Sequence, residues 1–311
     1  MTEQPNHVWE DPAFLAQAVA WVDERLADLG RERTGDVEQP HVRSWATVLR
    51  VPTADGPVWF KANTEALRHE VLVVDKVSSR VPARVPALLG RDLERGWMLM
   101  ADAGERLREV VVEEQSLGRW HDILEGAADL HHALEPDVDE LVAAGLPDLR
   151  LADLADRYAD LVAQEWVEPR FREAVPLVHD LVDELASYGV VETLQHDDLH
   201  DGQVFLGAGV HQVLDWGDAC VSHPFFTLAV TLEGVIAWGV DDEEGSEDLE
   251  PHLAAYLRPY AERYPLTDAE LREAARVAMR LGWVCRAING ALPQDPGQTH
   301  TRLSMFLDAK P

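Results

Sequence analysis

GVVETLQHDDLHDGQVFLGAGVHQVLDWGDA, residues 189–219, decides the reading of the chain. Three aspartates and two histidines crowd into HDDLHD at 196–201, and two short β-type runs follow, QVFL at 203–206 and HQVLDW at 211–216. Gly207-Ala208-Gly209 separates the runs, so the pair reads as a small hairpin carrying a further aspartate, Asp215, at its far end. Alone, HDDLH is most economically an acidic loop whose histidines make ordinary hydrogen bonds. The hairpin and the LDWGD sequence behind it reverse that preference, because they place two separate sets of carboxylates on one short stretch.

The rest of the chain is predicted to frame this segment with two parts. Asp11-Pro12 followed by AFLAQAVAWVDERLADLG reads as a helix with Asp11 at its N-cap and Gly30 at its end. Residues 41–63, HVRSWATVLRVPTADGPVWFKAN, alternate as a β-hairpin about Ala54-Asp55-Gly56-Pro57 and end on VWFK. Glu65 to Val77 follows with helical periodicity. The two prolines of VPARVPALLG, 81–90, interrupt it, and GWMLMADAG at 96–104 reads as a strand running into a hinge. Gln115–Leu134, Leu149–Trp166 and Phe171–Tyr188 carry broad apolar faces of helices. DDEEGSEDLE at 241–250 reads as a solvated loop, and 268–290 as another helix.

Composition narrows the function. With 311 residues and 46% apolar side chains, the chain can bury a sizeable core. Its 27 basic and 57 acidic side chains leave a formal charge of −30, which argues against a nucleic-acid partner. Cys220 and Cys285 are the only cysteines and neither sits in a closely spaced sequence pair of the kind that marks a disulfide framework or a zinc knuckle, and no apolar run reaches membrane-spanning length; a reducing cytoplasm and no membrane are expected. Lysine occurs only at 61, 76 and 310 and asparagine only at 6, 63 and 289, a scarcity of both residue types that bears on Lys61 and on residue 203.

The 189–219 segment resembles the catalytic segment of the aminoglycoside-phosphotransferase and choline-kinase-like superfamily. The resemblance implies an α+β, bilobal protein-kinase-like fold, with an N-terminal cap and a β-rich nucleotide lobe together over residues 1–101, a mainly helical catalytic and acceptor lobe over 102–311, and the cleft between lobes. It implies ATP and Mg2+ as cofactors. His196, Asp198, Gln203 and Asp215 match the superfamily pattern. Asp198 would be the catalytic base, His196 would brace the loop, and Gln203 with Asp215 would hold the metal. Gln203 departs from the commoner asparagine, yet it still offers an amide oxygen with one more methylene of reach. Lys61, closing VWFK, and Glu70, in the next helix, resemble the kinase lysine–glutamate pair that meets the nucleotide phosphates. The peptide groups of Met100, Ala101 and Asp102 would take adenine. A glycine-rich phosphate loop and an activation segment are both missing from the sequence, which disfavours a protein kinase.

Within the superfamily, the cap, Gln203 and the tail PGQTHTRLSMFLDA resemble maltokinase-like sugar kinases and bacterial glucosamine kinases, so glucosamine is the expected acceptor, with maltose or an aminoglycoside as alternatives. Asp218, Glu233, Trp283, Arg286 and Asn289 are the candidate acceptor contacts; the last three recur every third residue and stay broadly on one side of a helix. Two other classes compete: a catalytically silent nucleotide-binding module, suggested by Gln203, and a metal-dependent phosphohydrolase built on His196, Asp197 and His200.

Overall fold

The computed structural model describes residues 7–207 and 209–308. Its strands are β1 (Glu38–Val42), β2 (Ala46–Val51), β3 (Val58–Asn63), β4 (Leu88–Asp92), β5 (Trp97–Ala101), β6 (Glu105–Arg106), β7 (Thr193–Gln195), β8 (Val204–Gly207), β9 (Val210–Val213) and β10 (Cys220–Ser222). Its helices are α1 (His7–Glu10), α2 (Pro12–Asp28), α3 (His69–Arg80), α4 (Leu107–Glu114), α5 (Trp120–Leu134), α6 (Val138–Ala143), α7 (Leu151–Val162), α8 (Val175–Ser187), α9 (Glu250–Arg263), α10 (Asp268–Asn289) and α11 (Pro296–Leu307). The fold is α+β, and two compact units divide it. One takes in the chain up to Glu105 together with Phe205–Gly217; the other takes in Arg106–Val204 and the chain from Asp218 onward.

The first unit is built on an antiparallel sheet of order β1-β2-β3-β5-β4. Side chains alternate across a strand, so Val58, Phe60 and Ala62 of β3 are buried on one face with Trp21, Val22 and Leu26 of α2. Trp21, Phe60 and Trp97 meet edge to face with centroids 5.4–5.9 Å apart, and truncation of a buried aromatic of this kind costs about 3–5 kcal/mol. The cap helix expected from Asp11-Pro12 is therefore part of this core, and Asp11 caps it by accepting from the Ala13 amide at 2.8 Å. The same alternation turns Lys61 away from that core.

Several features of this unit differ from the sequence reading. The β1 strand contains Pro40 and sits at the sheet edge, where a missing N–H is tolerated; β4 is the opposite edge and starts just past the prolines that read as a break. The helix expected from Glu65 begins with a 3-10 turn, Glu65–Leu67, and becomes α-helical only at His69. The hairpin 205–217, assigned by the 101/102 division to the later part, packs with the first unit: Gln212 Nε2 donates to the Val85 carbonyl at 3.3 Å, and Arg84 reaches His211 Nδ1 at 3.1 Å. Gly104 permits this packing. Its φ is +88°, and a Cβ there would meet the Leu206 carbonyl oxygen at 2.2 Å.

The second unit is mainly helical. A capping box starts α10, with Thr267 Oγ1 accepting from the Glu270 amide and Glu270 accepting from the Thr267 amide. Gly282 lets α10 approach the 226–229 backbone, since a Cβ there would lie 2.7 Å from the Phe226 carbonyl oxygen. α9 carries Pro259 in its interior, which hides it in a propensity reading. It packs on α5 through buried His131, whose Nδ1 lies 3.1 Å from the Tyr256 hydroxyl; burial pushes His131 down to about 3, so the ring is neutral. The helix expected from Gln115 starts at Trp120, because Gln115 adopts a left-handed φ of +50° and ends α4. Among the described residues no helix is long and apolar enough to cross a membrane.

Candidate active site

In the first unit, Lys61 lies between two carboxylates. Its ammonium donates to Glu70 Oε1 at 2.8 Å and to Asp215 Oδ1 at 2.7 Å. Glu70 is 1% exposed, on the buried face of α3 among Val71, Val74 and Val77. Burial alone would push the ammonium's pKa down, but Asp215 and Glu70 together reverse this, and the net direction is upward. The lysine is held charged. Glu70 Oε1 also accepts the Trp216 amide at 3.1 Å, and His69 Nε2 meets the Gly217 carbonyl at 3.0 Å. Helix α3 thus fixes the turn in which Asp215 stands, at a left-handed φ of +63°.

In the second unit, strand register assembles a separate cluster of carboxylates. β7 and β10 are antiparallel, with Gln195 opposite Cys220. Residues just past the end of β7 therefore flank those just before β10, and Asp197 and Asp198 come beside Asp218. Arg286, in the last turn of α10, reaches all three: 2.8 Å to Asp198, 2.7 Å to Asp218 and 3.5 Å to Asp197. The guanidinium is buried; burial would lower its pKa, but the aspartates carry it upward. Asn289, one turn on, donates to Asp197 Oδ2 at 2.8 Å and to the Asp218 carbonyl at 2.7 Å.

The rest of the loop is braced from several sides. Thr231 Oγ1 donates to the Leu199 carbonyl at 2.8 Å, the Gly202 amide donates to His200 Nδ1, and the Gln203 amide donates to the His200 carbonyl at 2.9 Å. Asp201 is held down at about 2: burial opposes its charge, but His200 and the bidentate Arg108 outweigh burial. His196 is buried at the loop's base, and Gln203 is half-buried.

The other expected site residues fall as follows. Trp283 Nε1 donates to Glu233 Oε2 at 2.6 Å, so these two acceptor candidates are bonded to each other. Met100 is buried in β5, and the Ala101 amide is already used by the Ala87 carbonyl at 2.9 Å. Asp102 accepts from the Trp59 indole at 2.7 Å and from the Gly104 amide at 2.9 Å. His196, Asp197 and His200 do not gather as metal ligands; among the described residues the close trio is Asp197, Cys220 and Cys285. Sequence reasoning left Asp197 and Gln195 without a role in transfer. The signal available was two adjacent aspartates, of which both cannot face the same way.

Residues 36–266, more than half of the chain, match the phosphotransferase enzyme family. No curated protein sequence matches. A choline/ethanolamine kinase family protein from Mesorhizobium loti shares the fold at TM-score 0.64 and 13% identity, over 94% of this chain and 96% of that one. The macrolide 2'-phosphotransferase of Brachybacterium faecium aligns at TM-score 0.57 and 15% identity, over 94% and 99% of the two chains. APH(2'')-IIa in its ternary complex with streptomycin and ATP aligns at TM-score 0.59 and 13% identity, over 95% and 96%. The chain with this lysine, these aspartates and this fold belongs to the phosphotransferase enzyme family.

Proposed function

We propose that the chain transfers the γ-phosphoryl group of ATP to a hydroxyl of an amino sugar, glucosamine foremost, with Asp198 as general base. The observation that carries this reading is the Arg286 cluster. Three carboxylates surround one guanidinium, so an acceptor at this loop meets an excess of negative charge, and a protonated amine gains where a neutral sugar does not. Maltose lacks that amine. An aminoglycoside carries it and is the second candidate.

Arg286 Nη2 anchors Asp198 Oδ1, while Asp198 Oδ2 lies 3.9 Å from His200 Nε2 and takes the hydroxyl proton. As the acceptor oxygen bonds to the γ-phosphorus, the bond from that phosphorus to the bridging oxygen breaks and ADP leaves with the electron pair. Lys61 meets the nucleotide's phosphates, and Glu70 keeps the ammonium in place. Adenine bonds peptide groups in the 100–102 stretch, with the Ala101 amide excluded by its bond to Ala87. Asp215 and Gln203 would hold magnesium: a carboxylate and a carboxamide oxygen are the hard donors this ion takes, and the Asp215 side chain is 48% exposed while Lys61 pairs with one of its oxygens. Bound there, the ion neutralises charge developing on the phosphates.

Asp218 is already paired with Arg286, so an amine at this carboxylate shares it with the guanidinium; Glu233, held by Trp283, is the alternative partner. A hydrogen bond to a charged group contributes about 1.5–3 kcal/mol. Glucosamine is therefore expected to exceed glucose and N-acetylglucosamine in kcat/KM by roughly tenfold to a hundredfold. ADP release measured with the three sugars tests this, and equal efficiency on all of them defeats the amino-sugar reading. No ADP release with any sugar or aminoglycoside points instead to a silent nucleotide-binding module.

Lys61→Met is expected to lower kcat/KM for ATP by about tenfold to a hundredfold through loss of a charge-assisted phosphate contact. Glu70→Gln should lose less, because the amide still accepts from Lys61 and Asp215 remains as its second partner. Steady-state kinetics with varied ATP separate the two; identical small effects would show that the triad does not contact nucleotide.

A further inference from the structure

Asp197 is 3% exposed and stands at φ +62° between His196 and Asp198. Gln195 clamps it at two points: Oε1 accepts the Asp197 amide at 2.9 Å, and Nε2 donates to Asp197 Oδ1 at 3.0 Å. Because Oε1 is fixed by a peptide donor, the carboxamide has one orientation only. Oδ2 accepts from Asn289 at 2.8 Å and lies 3.5 Å from Arg286. The carboxylate is thus satisfied from inside. A metal reading of the Asp197, Cys220 and Cys285 trio fails on space, since Gln195 Nε2 already sits among the three ligand atoms, 3.3 Å from Cys220 Sγ and 3.9 Å from Cys285 Sγ.

We propose that Asp197 is a positioning residue for phosphoryl transfer: it fixes the backbone from which Asp198 projects and shares Arg286 with Asp198 and Asp218. The inference rests on Asp198 being the base. An asparagine at 197 would fit the same left-handed backbone, offer its one oxygen to either Gln195 or Asn289 and avoid burying a charge. What it lacks is the charge that draws Arg286 toward the loop. With Asp197 neutral, the guanidinium redistributes between Asp198 and Asp218, and the orientation of the base follows.

Burial lifts Asp197 to about 6, against the pull of Arg286, Asn289 and Gln195 and with a further push from Asp218. The other titratable groups around it are Cys285 on α10, Cys220 on β10 and Arg302 on α11. Below that pH the carboxyl takes up a proton and loosens its share of Arg286, so kcat of the wild type should fall with a midpoint near it. In Asp197→Asn this acid limb moves down by a unit or more, kcat at pH 8 drops roughly tenfold, and KM for ATP stays unchanged. Asn289→Ser removes a donor that favours the ionised form and should move the limb upward.

Thermal unfolding supplies a readout free of turnover. A carboxyl whose folded pKa is raised binds its proton more tightly folded than unfolded. Its contribution to stability is fully present below the unfolded value of about 3.9 and is lost as pH rises through the folded one. The Tm of Asp197→Asn relative to wild type should therefore be higher at pH 8 than at pH 5. An acid limb unmoved in both variants overturns the inference, as does a lower kcat with an unaltered profile; Asn289→Ser carries the test if Asp197→Asn does not fold. Asp198→Asn is measured alongside: full turnover there defeats the base assignment and this inference with it, whereas loss there with unmoved limbs defeats this inference alone.

Discussion

Asp198→Asn is expected to lower kcat by about a thousandfold, within the range that general base catalysis contributes, while nucleotide affinity stays near that of the wild type. Asparagine preserves the shape of the side chain and can still meet the Arg286 guanidinium through its oxygen, so the fold and the cluster should survive. What disappears is the ability to take the acceptor's proton as the new phosphorus–oxygen bond forms. Single-turnover measurement separates this from a binding defect. Near-wild-type turnover would mean that the proton leaves by another route.

Asp215→Ala should abolish magnesium-dependent nucleotide binding and lower kcat/KM for ATP by roughly a thousandfold, since metal stabilisation of phosphoryl charge is a matter of several kcal/mol. Two losses combine. The carboxylate donor goes, and Lys61 keeps only Glu70 of its two partners. Gln203→Asn makes the comparison informative: it keeps the amide oxygen and shortens the arm, and measurable activity should remain. Titration of ATP with and without magnesium distinguishes them; normal magnesium-dependent binding by Asp215→Ala would remove it from the metal site.

The sequence made the local parts of this arrangement legible. Alternation in VWFK separates Phe60 from Lys61, the helical period of 65–77 places Glu70 on a buried face, and the spacing of Trp283, Arg286 and Asn289 puts them on one side of α10. The partners of those residues were not legible. That Trp283 meets Glu233 depends on the close packing permitted at Gly282, and that Arg286 meets three aspartates depends on the register of β7 with β10. Both bring together side chains fifty or more residues apart, which periodicity does not encode. Gln195 is a further case: in sequence it is one polar residue at a strand end, and its role exists only because Asp197 turns back onto it. Proline hid β1 and α9 for a different reason: Pro40 stands on an edge strand, where a missing N–H is tolerated, and Pro259 stands inside a helix that packing holds together despite it.

Two carboxylates, Asp197 in the loop and Asp215 in the turn after the hairpin, stand on left-handed backbone, a conformation that L residues other than asparagine and aspartate enter reluctantly and glycine enters freely. In the genetic code, asparagine and glycine are each one nucleotide from aspartate. Two of the single-nucleotide neighbours of each position are therefore residues the backbone accepts. A lineage can lose the charge at either position in a single step without straining the backbone there, so in chains of this kind the charge of the site can change more readily than the course of its loops.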